Sequence, residues 1–316
     1  MKEGIVLEQI EIECEFITPA FTYGNNKELE IRATTIKGMM RYWWERTKTN
    51  DDVDTVQLFG GKIKNDIKKG KANIVCNDNL KYIKINSDLF NQIKTEKDEE
   101  NGLNYLFYAP KYLNKNLRHY NIGTTFTVII KSNNSNDLLN FVDALNRLQI
   151  LGGIGGRNRR GGGNFIINKV TCDDQMVKPS IMKYDNFITK QSSCENIKNS
   201  YISLIKKLEE NNIKAFLFTS IKEDDYIQVL KKIGEKYKEA RNKYKFHNKG
   251  IGSPLIIKPI YKIEEGKAGV LILEEGLNKE KMNNKMKNEK EIINELKAIL
   301  IKSGEFKKLY GSEKNE

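Results

Sequence analysis

Seven of the twelve residues from 152 to 163 are glycine and three are arginine, in the order Gly-Gly-Ile-Gly-Gly-Arg-Asn-Arg-Arg-Gly-Gly-Gly. Such a run suits neither a helix nor a strand interior, because glycine loses more backbone freedom on ordering than any other residue. It has to be a loop, and its flanks say which kind. Before it, Leu138, Phe141, Val142, Leu145 and Leu148 recur at helical spacing; after it, Phe165–Thr171 reads as a strand. A dinucleotide-binding turn has the opposite context, following a strand and opening a helix, and a Walker A loop needs Gly-Lys-Ser/Thr.

The arginines stand out against the rest of the chain. There are nine arginines against forty-five lysines, and Arg157, Arg159 and Arg160 fall within four residues. A guanidinium grips phosphate through a planar fork and stacks on bases. Glycines let backbone N–H groups come close to an anion. Arg157, Arg159 and Arg160 are therefore candidate phosphate ligands, with Gly155, Gly156, Gly161 and Gly162 allowing the backbone to close in. The plain alternative is a solvated loop with incidental charge. The whole chain carries 54 basic and 42 acidic residues, a formal charge of +12. That surplus favours a polyanionic partner, nucleic acid before an anionic membrane.

Upstream of the loop, residues 5–16 alternate, with Ile10, Ile12, Cys14 and Phe16 on one face and Glu11, Glu13 and Glu15 on the other. This is the pattern of a half-buried strand. Thr34 or Thr35 can cap a helix running to about Lys48. Asn73–Cys76, Tyr82–Ile85 and Thr125–Lys131 read as strands. The order strand, helix, strand, insertion, strand, helix, strand is the βαββαβ of a ferredoxin-like domain. The insertion spans roughly 77–121 and carries a weaker basic and aromatic cluster: Tyr105, Phe107, Tyr108, Lys111, Tyr112, Lys115, Arg118, His119 and Tyr120. There Tyr105, Phe107 and Tyr108 read as strand packing, and His119 as a surface residue.

At roughly 150 residues per domain, 316 residues predict about two domains. Residues 173–200 read as a polar linker. Beyond it come a strand at Lys214–Thr219, a basic helix at Asp224–Lys243, a hairpin of Pro254–Ile263 and Lys267–Leu273 turning at Glu265-Gly266, and a helix at Glu291–Ile301. The expected fold class is α+β, with tandem ferredoxin-like (RRM-like) domains at 1–172 and 201–316. The second is degraded, since its last strand is not evident.

A further cluster lies on the first helix. At 100° per residue, Ile36, Met40, Trp43 and Thr47 share a packing face, while Lys37, Arg41, Trp44 and Lys48 share another. The second face interleaves cations with an aromatic, as a surface for single-stranded nucleic acid does. Equally, both tryptophans can be core. Zinc sites and Ser/His/Asp triads are disfavoured, because the chain has only His119 and His247 and four scattered cysteines with no CxxC spacing. Three of those cysteines sit in apolar or strand-like runs and read as buried thiols. No metal ligands and no cofactor are expected. No apolar run approaches the ~18–20 residues of a membrane helix, and the glutamate-rich start is unlike a signal peptide, so the expected location is cytoplasmic.

These segments, in this order, resemble the RAMP superfamily of CRISPR systems, whose signature is a glycine-rich, arginine-containing loop before the last strand of a ferredoxin-like domain. Phe16-Ile17-Thr18-Pro19, the helix Arg32…Ile36-Lys37-Gly38…Arg41-Tyr42-Trp43-Trp44 and Leu58-Phe59-Gly60-Gly61 sharpen the likeness toward the first RAMP subunits of type III-B (Cmr) effector complexes. The resemblance covers roughly residues 5–172 and beyond that rests on Ser253-Pro254-Leu255 before a basic strand. It implies guide-RNA and target-RNA binding, assembly with other RAMP subunits including the backbone subunit, and no catalytic residue. Lys37, Arg41 and Trp44 would extend the surface of the arginine loop. Two alternatives stay open: a metal-independent guide-processing endoribonuclease using His119 or His247, and a subunit whose basic face docks on acidic protein neighbours.

Overall fold

In a computed structural model of the chain, the described residues are 8–25, 28–64, 66–78, 102–107, 119–172, 187–222, 225–243, 255–275 and 284–311. In chain order the elements are β1 (Glu8–Phe16), α1 (Ala33–Thr47), α2 (Thr55–Phe59), β2 (Gly61–Ile63), β3 (Asp66–Lys68), β4 (Asn73–Asp78), α3 (Gly102–Leu106), β5 (Thr125–Ser132), α4 (Ser135–Leu151) and β6 (Phe165–Cys172). There follow α5 (Cys194–Glu210), β7 (Lys214–Ser220), α6 (Tyr226–Lys243), β8 (Leu255–Glu264), β9 (Lys267–Glu274), α7 (Asn284–Lys302) and β10 (Phe306–Tyr310). Two compact units divide them. The first takes the described residues within Met1–Lys84, Arg118–Gly156 and Gly163–Lys207. The second takes those within Ile85–Leu117, Arg157–Gly162 and Leu208–Glu316.

In the first unit, β4, β5, β1 and β6 form one antiparallel sheet in that order. The alternation of β1 sets its register: Ile10, Ile12 and Cys14 stand opposite Ile130, Val128 and Phe126 of β5, all buried. Helix α4 lays Leu138, Phe141, Val142, Leu145 and Leu148 into the core, and α1 adds Ile36, Met40 and Trp43. The Asn134 side chain caps α4 by accepting from the N–H groups of Asn136 and Asp137. Helix α1 has no such cap: its N-cap is Arg32, and Thr34 and Thr35 lie inside its first turn.

The second unit repeats the element order with β7, α6, β8, β9, α7 and β10, and its antiparallel sheet runs β10, β7, β9, β8. Each sheet thus places its first and third main strands in the middle. The last strand, absent from the sequence expectation, is β10. It is short and lies at a sheet edge, and of its residues only Phe306 is buried.

The structure differs from expectation at other points. The linker expected over 173–200 lies outside the described residues up to 186, and from Cys194 it is helix. There Ile197, Tyr201, Leu204, Ile205 and Leu208 are buried at helical spacing, and the Ser193 hydroxyl accepts from Asn196 N–H near the start of α5. Gly102–Leu106 is helical rather than strand and packs on α6 within the second unit, with Leu103, Leu106 and Phe107 buried. Tyr82–Ile85, Tyr108, Lys111, Tyr112, Lys115, Arg118, His247 and Ser253-Pro254 lie outside the described residues, as does the side chain of Tyr105. Of the cysteines only Cys14 is buried; Cys76, Cys172 and Cys194 are partly exposed, and all four are free thiols.

Candidate functional site

The candidate residues fall in both units. In the first, Lys37 and Arg41 lie one turn apart on the outward side of α1. Arg41 is exposed and donates from Nη1 to the Gly60 carbonyl at 2.9 Å. Lys37 is partly buried and donates to the Ala72 carbonyl at 3.4 Å. Burial, and then the neighbouring Arg41 charge, push the Lys37 ammonium below its ordinary value. Two adjacent cations with no acid between them suit an incoming anion.

Trp44 does not join them. It is fully buried, its Nε1 donates to the Val53 carbonyl at 3.0 Å, and its ring meets Phe59 edge-on. Its cation is internal: the Arg147 guanidinium carbon lies 4.2 Å from the ring centroid. The wheel that grouped Trp44 with Lys37 and Arg41 is correct as geometry. However, the segment carrying Val53 and Phe59 covers the ring, so no stacking face remains for a base. This corrects the expectation for Trp44.

Sequence reasoning overlooked Arg147. Its side chain is 1% exposed and bridges Asp52 at 2.9 Å and Asp143 at 2.7 Å, and Nη1 donates to Thr47 Oγ1. Burial would raise the Asp52 carboxyl, but the hydrogen bond and charge of Arg147, with Thr49 N–H, hold it below its usual range. An arginine inside an apolar helix pattern, with Asp143 four residues back, was the available signal.

The open face of the first sheet carries Glu11, Glu13 and Glu15. Asn168 donates to Glu13 and Glu15, and Lys190 pairs with Glu15 at 2.8 Å. An acidic stripe repels phosphate, so this face is not a stacking platform for nucleic acid.

The glycine-rich loop is shared between the units. Gly155 and Gly156 belong to the first, where Gly156 N–H donates to the Phe21 carbonyl at 2.8 Å. Gly155 has φ +84, and a Cβ there would lie 2.6 Å from the Phe21 oxygen. In the second unit Gly161 has φ +83, and a Cβ would lie 2.8 Å from Leu230 Cδ1; Gly162 N–H donates to the Arg157 carbonyl at 3.0 Å. Close packing at positive φ therefore accounts for Gly155 and Gly161. The N–H groups of Gly156 and Gly162 point to carbonyls, which corrects the expectation that they cradle an anion.

The three arginines are equally unlike. Arg160 holds the loop onto the second sheet: Nη1 donates to the Leu255 carbonyl at 2.9 Å, Nη2 to the Tyr237 hydroxyl at 2.8 Å, and the guanidinium lies over the Tyr237 ring at 4.7 Å. Arg159 pairs with Glu275, while its own carbonyl accepts from Ile257 N–H at 3.0 Å. That bond and the Arg160–Ile257 bridge add residues 159–160 to the edge of β8. Arg157 turns the chain at φ +62, its carbonyl taking Arg160 N–H at 2.7 Å. Burial first, and then the Arg160 charge, lower its guanidinium from the ordinary value. Arg157 is partly exposed, and among the described residues no carboxylate pairs with it; Arg160 also lacks one but is engaged by Leu255 and Tyr237.

Two further expectations change. His119 is buried at 7% exposure rather than a surface residue, beside Phe21. Burial lowers its pKa, partly offset by a hydrogen bond with Asn121. Lys258, in the strand read as basic, is buried, and burial pushes its ammonium well below the ordinary lysine value. Among the described residues no cluster of three His, Cys, Asp or Glu side chains is placed to hold a metal ion.

The sheet order and the loop before β6 bear on kinship. Residues 13–166 match the model of the RAMP superfamily. The matched segment runs from within β1 to the start of β6 and includes β4, β5 and the whole glycine-rich loop. Cmr1 from Pyrococcus furiosus, in its apo crystal form, is 18% identical with a TM-score of 0.65, covering 96% of this chain and 99% of that one. A chain of type III-B Cmr-beta bound to cognate target RNA, seen by cryo-EM, is 14% identical with a TM-score of 0.50, over 92% and 100% of the two chains. Another, in a state with AMPPnP and single-stranded DNA, is 16% identical with a TM-score of 0.51, over 93% and 99%. The fold likeness therefore extends beyond the matched segment through the second unit. No curated protein sequence matches this chain significantly.

Proposed function

We propose that the chain is a non-catalytic, RNA-binding subunit of a CRISPR type III-B (Cmr) RNA-guided interference complex. It contacts phosphates of guide or target RNA and assists target capture. The two units are read as tandem ferredoxin-like domains, and the setting is cytoplasmic antiviral defence alongside other RAMP subunits, including the backbone subunit. The observation that carries this reading is that the RAMP match ends just past the arginine turn, while fold likeness to Cmr chains extends over nearly the full length. The net charge of +12 supports a polyanionic partner.

The phosphate contacts are assigned to Arg157, Lys37 and Arg41. Arg159 serves only when it lets go of Glu275, and Arg160 acts by fixing the loop. Recognition is largely sequence-tolerant, because phosphate contacts position a strand without reading its bases. The test mixes the purified chain with end-labelled guide RNA in EDTA and runs native and denaturing gels in parallel. A shifted, intact RNA is expected. Shortened RNA would replace this reading with a metal-independent nuclease, and free, intact RNA would favour a protein-docking role for the basic surface.

A further inference from the structure

At one end of the second sheet, beneath α7, cations converge. In the β7–β9 ladder Lys214 stands opposite Glu274, and in the β10–β7 pair Lys308 stands opposite Phe218. Directly opposed residues share a face, and side chains alternate along a strand. Lys214, Phe216, Phe218, Glu274 and Lys308 therefore lie on one side of the sheet. Helix α7 brings Lys297 down onto that side. Its ammonium lies 4.0 Å from the centre of the Phe216 ring, and that of Lys308 lies 5.7 Å from the same ring.

The group holds more positive charge than it neutralises. Lys297 Nζ and Glu274 Oε2 are 4.0 Å apart, with side chains only 17% and 4% exposed. Glu274 Oε2 accepts no hydrogen bond among the described residues. Burial first lowers the Lys297 ammonium from its ordinary value; Glu274 opposes that shift, while the charges of Lys214, Lys308 and Lys290 add to it. Lysines from β7, β10 and α7 thus repel one another around a single carboxylate, and an added anion would relieve that repulsion.

Beside them lies a cavity of about 390 Å³ lined by Lys308, Leu309, Tyr310 and Gly311. Gly311 joins it to the cations, since a Cβ there would lie 2.9 Å from Phe216 Cδ1. A hydrogen bond with Glu209 engages the Tyr310 hydroxyl. An acidic protein segment would satisfy the charge alone. A nucleic-acid strand supplies phosphates for the lysines together with apolar base faces for Leu309 and the Tyr310 ring.

We propose that Lys214, Lys290, Lys297 and Lys308 form a phosphate-binding site in the second unit, occupied by the backbone of an RNA strand. All four lie outside the matched residues 13–166, and none belongs to the contacts assigned to Arg157, Lys37 and Arg41. The inference rests on the RNA-binding reading for its ligand and adds to it a site with its own residues.

The test acylates the lysines of the full-length chain alone, with single-stranded RNA, and with pyrophosphate as a free phosphate ligand, and reads each lysine by mass spectrometry. Lys222, exposed beyond the far end of β7 from Lys214, is the reference. RNA should remove more than half of the labelling of Lys214 and Lys308 relative to Lys222. Lys214→Ala combined with Lys308→Ala should keep the circular dichroism of the parent and lower the salt slope of RNA binding by about 0.7 for each contact. RNA binding with both lysines labelled as before and the slope unchanged overturns the site and leaves RNA binding standing. Protection by pyrophosphate without any RNA binding supports the phosphate site and overturns RNA as its source. No RNA binding and no protection by either ligand overturns both.

Discussion

The Arg147 guanidinium lies 4.2 Å from the centre of the Trp44 ring, and both side chains are buried. The contact ties α4 to α1 and explains why a tryptophan on the same side of the helix wheel as Lys37 and Arg41 belongs to the core. Asp52 and Asp143 complete the arrangement by neutralising the arginine.

Removing that arginine leaves two carboxylates without their cation. Breaking one side of a buried ion pair costs about 3–5 kcal/mol. Asp52 and Asp143 retain 16% and 18% exposure, so Arg147→Met is expected near the lower end, about 3 kcal/mol. Asp52→Asn, which keeps a hydrogen-bond acceptor, should cost less. Urea unfolding midpoints followed by tryptophan fluorescence check both, since Trp43 and Trp44 are the chain's two tryptophans.

Acid should erase the difference between the parent and Arg147→Met. In the folded chain the Asp52 carboxyl is held below its usual range. Its contribution is therefore complete above the unfolded aspartate pKa of about 3.9 and is lost as pH falls through the lower folded value. The stability gap between the two proteins should be constant from pH 7 to 5 and shrink below about pH 4. A gap that stayed constant into strong acid would contradict the pairing.

Two neighbouring glycines should respond in opposite ways to alanine. Gly155→Ala forces a β-carbon into the Phe21 carbonyl at positive φ, at a cost of at least about 1–2 kcal/mol. Gly156 is exposed, has ordinary φ and would keep its new carbon 3.4 Å from the same oxygen. Gly156→Ala should change stability by no more than about 0.5 kcal/mol. Thermal unfolding of the two variants distinguishes close packing from anion cradling as the reason for the glycines.

The arginine loop should also divide. Arg160→Ala removes hydrogen bonds to Leu255 and Tyr237, and charged hydrogen bonds contribute about 1.5–3 kcal/mol each. The second unit should therefore be destabilised measurably in a urea titration. Arg157→Gly keeps the left-handed turn and should leave the unfolding midpoint unchanged. A triple alanine variant of Arg157, Arg159 and Arg160 would mix a folding defect with a binding defect.

The sequence carried the element order because each periodic segment had one clear buried face. The alternation over Ile10–Phe16 and the helical repeat of Leu138–Leu148 both report directly on the core of the first unit. The partners of the arginines were not legible: Arg160 meets Tyr237 and Leu255 at separations of 77 and 95 residues, and Arg159 meets Glu275 at 116. No local pattern encodes such pairings. Trp44 was ambiguous because a helix wheel gives direction but not what covers it, here Val53 and Phe59. β10 escaped notice because an edge strand with one buried residue has almost no period to detect, and α5 because its buried stripe is diluted by Asn, Lys and Ser.

The most direct measurement is the salt dependence of RNA binding by fluorescence anisotropy for the parent chain, Arg157→Gly, Lys37→Ala and Arg41→Ala. The account predicts a steep loss of affinity with salt in the parent, and a slope reduced by about 0.7 for each phosphate contact removed. Slopes unchanged in all three folded variants would contradict the claim that these cations hold RNA.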